Sequence, residues 1–487
     1  MNLGLKPFFK NVVLTFVSQA VILLSFFFIY RLVANDYGSV GVGEYSLVKR
    51  AVGFLVPFLL LGLSVGLPRY IAMSSGAKQG EYLLAGAFVI AGCSAAFLAV
   101  INAFPDFFAA FFFGAASYRN YIVPLSVFLA GLNADNLVYC YLQGRLMVKA
   151  FNLLQALNLA IVPLIIFFIF KNSLPYAISL TGIAMAVLSF VFLAYAARGL
   201  SFSAPKRNFA ALKEIMVYSI PRFPGDFLLG GLLSLSPIFA AHFVSVTKVG
   251  YLSVGQSLVT AVGGLAAPLG MVLLPKVSSL LAQGREESIA KSINVYIIAI
   301  LQCSVFICLQ LIIFSDLLIV FWLGKNFVEA VWIVRTSFFA SFFYLFYVSM
   351  RSIIDAVKVR AVNTINLLVS FLLFVLSSSF VLLPGSNALV VLNASFAGGI
   401  VCLAALTYFS LRKIYPCQLS QELRFFLPAF GVSCFLALVS FAVKPFVTNI
   451  AYLAGYEILI GTFYLFILFY FKTGWVLEAF EATLNKK

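Results

Sequence analysis

Two pairs of ionisable side chains interrupt apolar stretches of this 487-residue chain: Lys49 beside Arg50 in GEYSLVKRAVGFLV, and Arg222 four residues before Asp226 in PRFPGDFLLGG. A planar, permanently charged guanidinium next to an ammonium suits the oxygens of a phosphate. A cation and a carboxylate four apart on a continuous helix would pair on one face, but Pro221 and Pro224 bend or unwind the chain there. Arg222 is thus a candidate for binding an anionic group, and Asp226 for holding it or for taking up a proton or cation. Asp135, Arg335 and Glu457 stand in other apolar runs, and Asp135 and Glu457 are further candidates for ion coupling. Charge in a hydrocarbon region is costly and functional by default.

Membrane helices must position these groups. With 63% hydrophobic and 10% charged residues, the composition is far from that of a soluble domain, and apolar runs of spanning length recur throughout. Spans are expected near residues 11–34, 49–73, 82–103, 119–142, 152–170, 175–197, 215–242, 250–278, 293–315, 327–350, 361–383, 387–410, 425–444 and 449–471. The expectation is an all-α polytopic membrane protein of about fourteen helices. A β-barrel is excluded because the runs are continuously apolar rather than alternating.

The segment GEYSLVKRAVGFLVPFLLLGLSVGLPRY from Gly43 recurs, much altered, as GYLSVGQSLVTAVGGLAAPLGMVLLPK from Gly250, 207 positions later. Such a duplication marks a transporter built from two halves. Superposed, Ser46, Lys49, Arg50, Gly53 and Pro57 of span two overlie Ser253, Gln256, Ser257, Thr260 and Gly264 of span eight, each set lying along one helix face. Asn11, Thr15, Ser18 and Gln19 of span one overlie Tyr218, Arg222, Gly225 and Asp226 of span seven. Asn158 of span five matches Asn366 of span eleven at nearly the same spacing. Four helices thus carry polar stripes, which must face protein or water: for the small residues and hydroxyls helix packing is an equal alternative, while the charged ones favour a cavity between the halves.

The expected organisation is a six-helix bundle over residues 1–197, a basic connector at 198–213, a second bundle over 214–410, and two additional helices with a short tail at 411–487. Six spans per half keep equivalent helices parallel, with the symmetry axis along the membrane normal. The net charge of +16 is first explained by orientation rather than by nucleic acid: 22 of the 32 Lys and Arg fall on the side of the two termini, which places both termini in the cytoplasm. Lys49 and Arg50 begin span two on the outer side, against that trend. Basic loops also suit anionic membrane lipids. The seven cysteines are scattered without a CxxC, His242 ends a span and is expected to be interfacial, and no Walker A, GxSxG, HExxH or nucleotide fingerprint occurs. No cofactor is expected, and the energy is expected from a gradient, with proton or sodium coupling as one alternative, from the membrane potential or from the substrate's own concentration difference.

The pattern VGEYSLVKRAVGFLVPFLLLGLSVGLPRYIA in span two, the YSIPRFPGD entry to span seven, and VGYLSVGQSLVT followed by LLPKVSSLLAQGREE in span eight carry a resemblance over nearly the whole chain. The chain resembles the polysaccharide flippases (Wzx type) of the multidrug, oligosaccharidyl-lipid and polysaccharide exporter superfamily. The resemblance implies a V-shaped pair of bundles with a cavity lined by spans one, two, seven and eight. It also implies transfer of undecaprenyl-diphosphate-linked oligosaccharide repeat units to the periplasmic leaflet, for surface polysaccharide such as O-antigen, with polysaccharide polymerase and glycosyltransferases as neighbours in the pathway. By position, Lys49, Arg50 and Arg222 fit the cations that meet the diphosphate and acidic sugars. Alternatives are a lipid II flippase or a cation or drug exporter of the same superfamily. A membrane polymerase or ligase is disfavoured, since no large outer loop with polar catalytic groups is visible.

Overall fold

The computed structural model describes residues 5–198, 205–264, 286–357, 362–414 and 419–471. Among the described residues the only regular elements are helices, twelve of them long and apolar enough to cross a membrane. The first candidate, Val13–Leu60, has 48 residues, about twice what a ~30 Å hydrocarbon core requires. It is broken at Gly38, whose φ of 68° and ψ of −164° only glycine adopts freely, so it supplies spans one and two. Val246–Gly264 opens span eight, whose remainder, with Pro275 and Lys276 of the repeat, lies outside the described residues. Splitting the first helix and adding this one reconciles the twelve with the expected fourteen or so.

Span two breaks again at Leu61 and Gly62, both at positive φ, before continuing as Leu63–Ala72. Span five contains a π turn, Leu157–Ile161, between two α-helical segments. Span seven is divided by a 3₁₀ turn, Ile220–Arg222, between Pro205–Ser219 and Phe223–Ala240. Many large apolar side chains on the spans, Phe168, Phe190, Leu438 and Phe463 among them, are exposed, as lipid-facing residues must be.

The chain divides into two compact units: Met1–Ser253 with Val381–Leu392, and Val254–Phe380 with Asn393–Lys487. In the first, Leu63, Leu67 and Ile71 of span two bury against Tyr82, Tyr141, Leu154 and Ile215. Ile122–Gly144 and Leu174–Ala196 approach so closely that a Cβ on Gly131 would collide with the carbonyl of Gly182. Small residues permit such contact in lipid, where no hydrophobic force drives helices together. Gly131→Ala is therefore expected to cost roughly 1–3 kcal/mol, read as a lower Tm of the purified protein; an unchanged Tm would mean that these helices separate freely.

In the second unit, Ile297, Met350, Ile353 and Leu411 form the fully buried centre of a core. The two additional helices, Leu419–Val443 and Ile450–Tyr470, dock on Glu286–Ile313. Phe306 stacks on Tyr464 at 4.4 Å, the Tyr464 hydroxyl donates to the Gln302 carbonyl at 2.9 Å, and Gln302 Nε2 donates to the Phe425 carbonyl at 3.0 Å.

Candidate functional site

In the first unit the two copies of the repeat touch. A Cβ added to Gly250 would lie 3.0 Å from the Gly43 nitrogen, and one added to Gly230 would lie 2.8 Å from the Gly53 carbonyl oxygen. Between these contacts sits Arg50, only 8% exposed. Its Nη1 donates to the Leu233 carbonyl at 2.7 Å and its Nη2 to the Ser253 carbonyl at 2.9 Å. The forked guanidinium thus crosslinks spans two, seven and eight, and these charge-assisted bonds make its burial tolerable.

Lys49, one residue earlier, is exposed. Its Nζ lies 5.1, 5.9 and 5.8 Å from the ring centres of Phe26, Tyr30 and Tyr45. Phe26 and Tyr30 are one turn apart on span one, Tyr45 and Lys49 one turn apart on span two. The spacing was in the sequence, but aromatic residues are so common in this chain that the nest does not stand out. The result is an accessible cation set in an aromatic wall.

The polar stripe of span one meets span five. Asn152 Nδ2 donates to Thr15 Oγ1 at 3.1 Å, and Ser18 Oγ donates to the Asn152 carbonyl at 3.1 Å. Gln19 is half-buried, and the side chain of Asn11 lies outside the described residues.

Arg222 does not pair with Asp226. The 3₁₀ turn places Arg222 before the first turn of Phe223–Ala240, where it turns back: Nη1 donates to the Tyr218 carbonyl at 2.8 Å and the guanidinium carbon stands 3.6 Å from the Tyr218 ring centre. Asp226 falls in the first turn of that helix, a favourable place for a carboxylate, and accepts from Ser64 Oγ at 3.2 Å. Tyr218 also receives Arg69, which the sequence reading passed over. Its signal is the small-residue pair Gly62 and Gly66, four apart, which brings span two against Ser219.

Gln256, Ser257 and Thr260 belong to the second unit. Gln256 is fully buried, Ser257 is buried, and Thr260 Oγ1 donates to the Ser257 carbonyl at 2.8 Å. The neighbouring Gly255 and Gly263 abut Ser337 and Tyr344 of Val331–Val357.

Asp135 is 1% exposed. Its Oδ1 accepts from Asn158 Nδ2 at 2.7 Å and its Oδ2 from Gln155 Nε2 at 3.1 Å, while Asn158 also donates to Ser189 Oγ at 2.9 Å. Asn158 stands in the π turn, and π turns are frequent at functional sites. Its repeat equivalent Asn366, in the second unit, donates to Ser410 Oγ at 3.0 Å. Arg335 is held locally by Ser315 and Asp316, and Lys444 donates to the same Asp316 at 2.6 Å. Glu457 is half-buried, with Oε1 unpartnered among the described residues. His242 lies at 3.0 Å from the Phe111 carbonyl.

No protein-family model matches this chain, and no curated protein matches it either. Solved structures do, and the likeness is one of fold. The chain is similar to a structure of the lipid II flippase MurJ in an inward closed conformation, with a TM-score of 0.75 at 16% identity over 95% of this chain and 98% of the other. It is also similar to an inward-facing multidrug resistance MATE family transporter of the MOP superfamily, with a TM-score of 0.61 at 15% identity over 81% and 94%. A MATE structure in a bent conformation aligns with a TM-score of 0.57 at 15% identity over 83% and 95%. These neighbours are flippases and transporters rather than enzymes.

Proposed function

We propose that this protein is a flippase that carries an undecaprenyl-diphosphate-linked oligosaccharide repeat unit across the cytoplasmic membrane by alternating access. The observation that carries the reading is the pair of unneutralised cations on spans two and seven. Lys49 rests on aromatic rings and Arg222 on Tyr218, and neither has a carboxylate within ion-pair distance among the described residues. A cationic drug would meet the wrong sign of charge, whereas a diphosphate meets the right one. Arg50 serves this reading as a latch rather than as an open receptor, since its bond to Ser253 must break if spans two and eight are to part, and its bond to Leu233 if spans two and seven are. The lipid tail stays in the bilayer while the polar head crosses, with glycosyltransferases acting before this step and the polymerase after it.

A lipid II cargo is equally compatible, and the extent of the likeness to MurJ favours it as the second reading. Either cargo presents a diphosphate. For the coupling ion, a proton or sodium, we favour Asp135, with Asp226 and Glu457 as the other carboxylates able to take it.

Vesicles holding the purified protein and a lipid-linked oligosaccharide provide the test: protection of the sugar from an external modifying enzyme should change with time. Lys49→Gln should slow that change about tenfold without lowering Tm, because the side chain is exposed and its removal uncovers no buried group. Static protection with every lipid-linked sugar tried, lipid II included, would sink the flippase reading; longer sugar chains would instead indicate a polymerase.

A further inference from the structure

At the end of span two remote from Lys49, two arginines share one aromatic ring. Arg69 Nη1 donates to the Tyr218 hydroxyl at 2.7 Å, with its guanidinium carbon 4.6 Å from the ring centre. The Arg222 guanidinium carbon is 3.6 Å from the same ring centre. The two carbons are therefore no more than about 8 Å apart. Neither arginine lies within ion-pair distance of a carboxylate among the described residues. Asp226, one turn after Arg222, accepts from Ser64 instead, and Glu214, one turn before Tyr218, accepts from the Tyr82 hydroxyl at 2.6 Å.

The arrangement is built into the backbone. A Cβ on Gly66 would collide with the Ser219 hydroxyl, and one on Gly62 with the Ser219 carbonyl, so span two lies hard against the end of Pro205–Ser219. The 3₁₀ turn Ile220–Arg222 then folds the second arginine back over Tyr218. Two arginines that merely reached for lipid headgroups would extend away from each other, since like charges repel. Held on one ring without a counter-charge, they leave a doubly positive site whose forked donors match the oxygens of a phosphoryl anion.

We infer that Arg69 and Arg222, stacked on Tyr218, form a two-guanidinium site for a phosphoryl anion, and that its occupant is the diphosphate of the lipid-linked cargo on the side of the chain termini. The occupant rests on the flippase reading; the site does not. It would receive the head of the cargo before the head reaches Lys49.

The test places the full-length protein in phosphatidylcholine nanodiscs and measures binding of sugar-free undecaprenyl diphosphate, with neutral undecaprenol as control. Arg69→Gln and Tyr218→Leu should each weaken binding about tenfold or more, while Tyr218→Phe, which keeps the ring and removes only the hydroxyl, should weaken it two- to threefold. Thermal unfolding checks that each variant is folded; Arg69 is exposed, so its variant should be. Wild-type affinity in Arg69→Gln, with Tyr218→Phe also unchanged, would overturn the site. Displacement of the diphosphate carrier by an equal amount of phosphatidylglycerol would support the site but overturn the assignment of the cargo as its occupant. Loss of binding in Arg69→Gln together with a wild-type protein that moves no lipid-linked sugar would leave the site standing and remove the flippase reading.

Discussion

Arg50→Ala should lower Tm and reduce transport at least tenfold at the same time. The guanidinium is buried and donates to the carbonyls of Leu233 and Ser253, on two different helices. Hydrogen bonds to a charged group contribute roughly 1.5–3 kcal/mol each, so removing both loosens the junction of spans two, seven and eight by several kcal/mol. Arg50→Lys should restore only part of either property, because one ammonium on a flexible stem cannot fork to two carbonyls. The pairing of the readouts matters. Loss of transport at unchanged Tm would mean that Arg50 acts on the cargo directly, as the spacing in the sequence first suggests. Loss of both means that it fastens the helices. No change in either would show that the crosslink is idle.

The helices, the duplication and the polar stripes were legible in the sequence because hydropathy and spacing encode them directly. Gly43 and Gly250, residues equated only by the repeat offset, lie in contact. Asn158 and Asn366 each bond to a serine within their own unit, though the two serines are not equivalent by the offset. Partners were not legible. Arg222 and Asp226 are one turn apart in sequence, yet the two prolines set a 3₁₀ turn between their segments and Arg222 bonds to Tyr218 instead. Thr15 shares a face with Gln19, but Asn152 of span five takes it, and nothing in span one alone indicates which neighbour that face will meet. The clamp on Tyr218 was missed for a related reason. Its close approach depends on glycines, which leave no trace in a hydropathy profile, and Arg69 looks like any other basic residue at a helix end.

Asp135→Asn should abolish the dependence of transport on an ion gradient while leaving the protein folded. The carboxylate is almost wholly buried, and its partners, Asn158 and Gln155, are neutral amides. A buried charge without a counter-charge costs several kcal/mol in a membrane interior, so a cation or proton must accompany it in at least one state of the transport cycle. The surroundings can supply further oxygens. Asn158 Oδ1 is buried without a hydrogen-bond partner among the described residues, Ser189 Oγ lies within 2.9 Å of the same amide, and a π turn loosens the backbone ladder around it. Asparagine keeps the shape of the site and removes the charge, and half-buried Gln155 can rotate its amide to accept from the new nitrogen, so Tm should move by no more than a few degrees. In vesicles with an imposed proton or sodium gradient, the variant should transport at the gradient-free rate of the wild type, a loss of tenfold or more in the stimulated rate. Asp226→Asn and Glu457→Gln, measured alongside, separate the three candidates. If stimulation survives in Asp135→Asn and disappears in one of the others, coupling resides with that carboxylate, and the buried network in the first unit is structural.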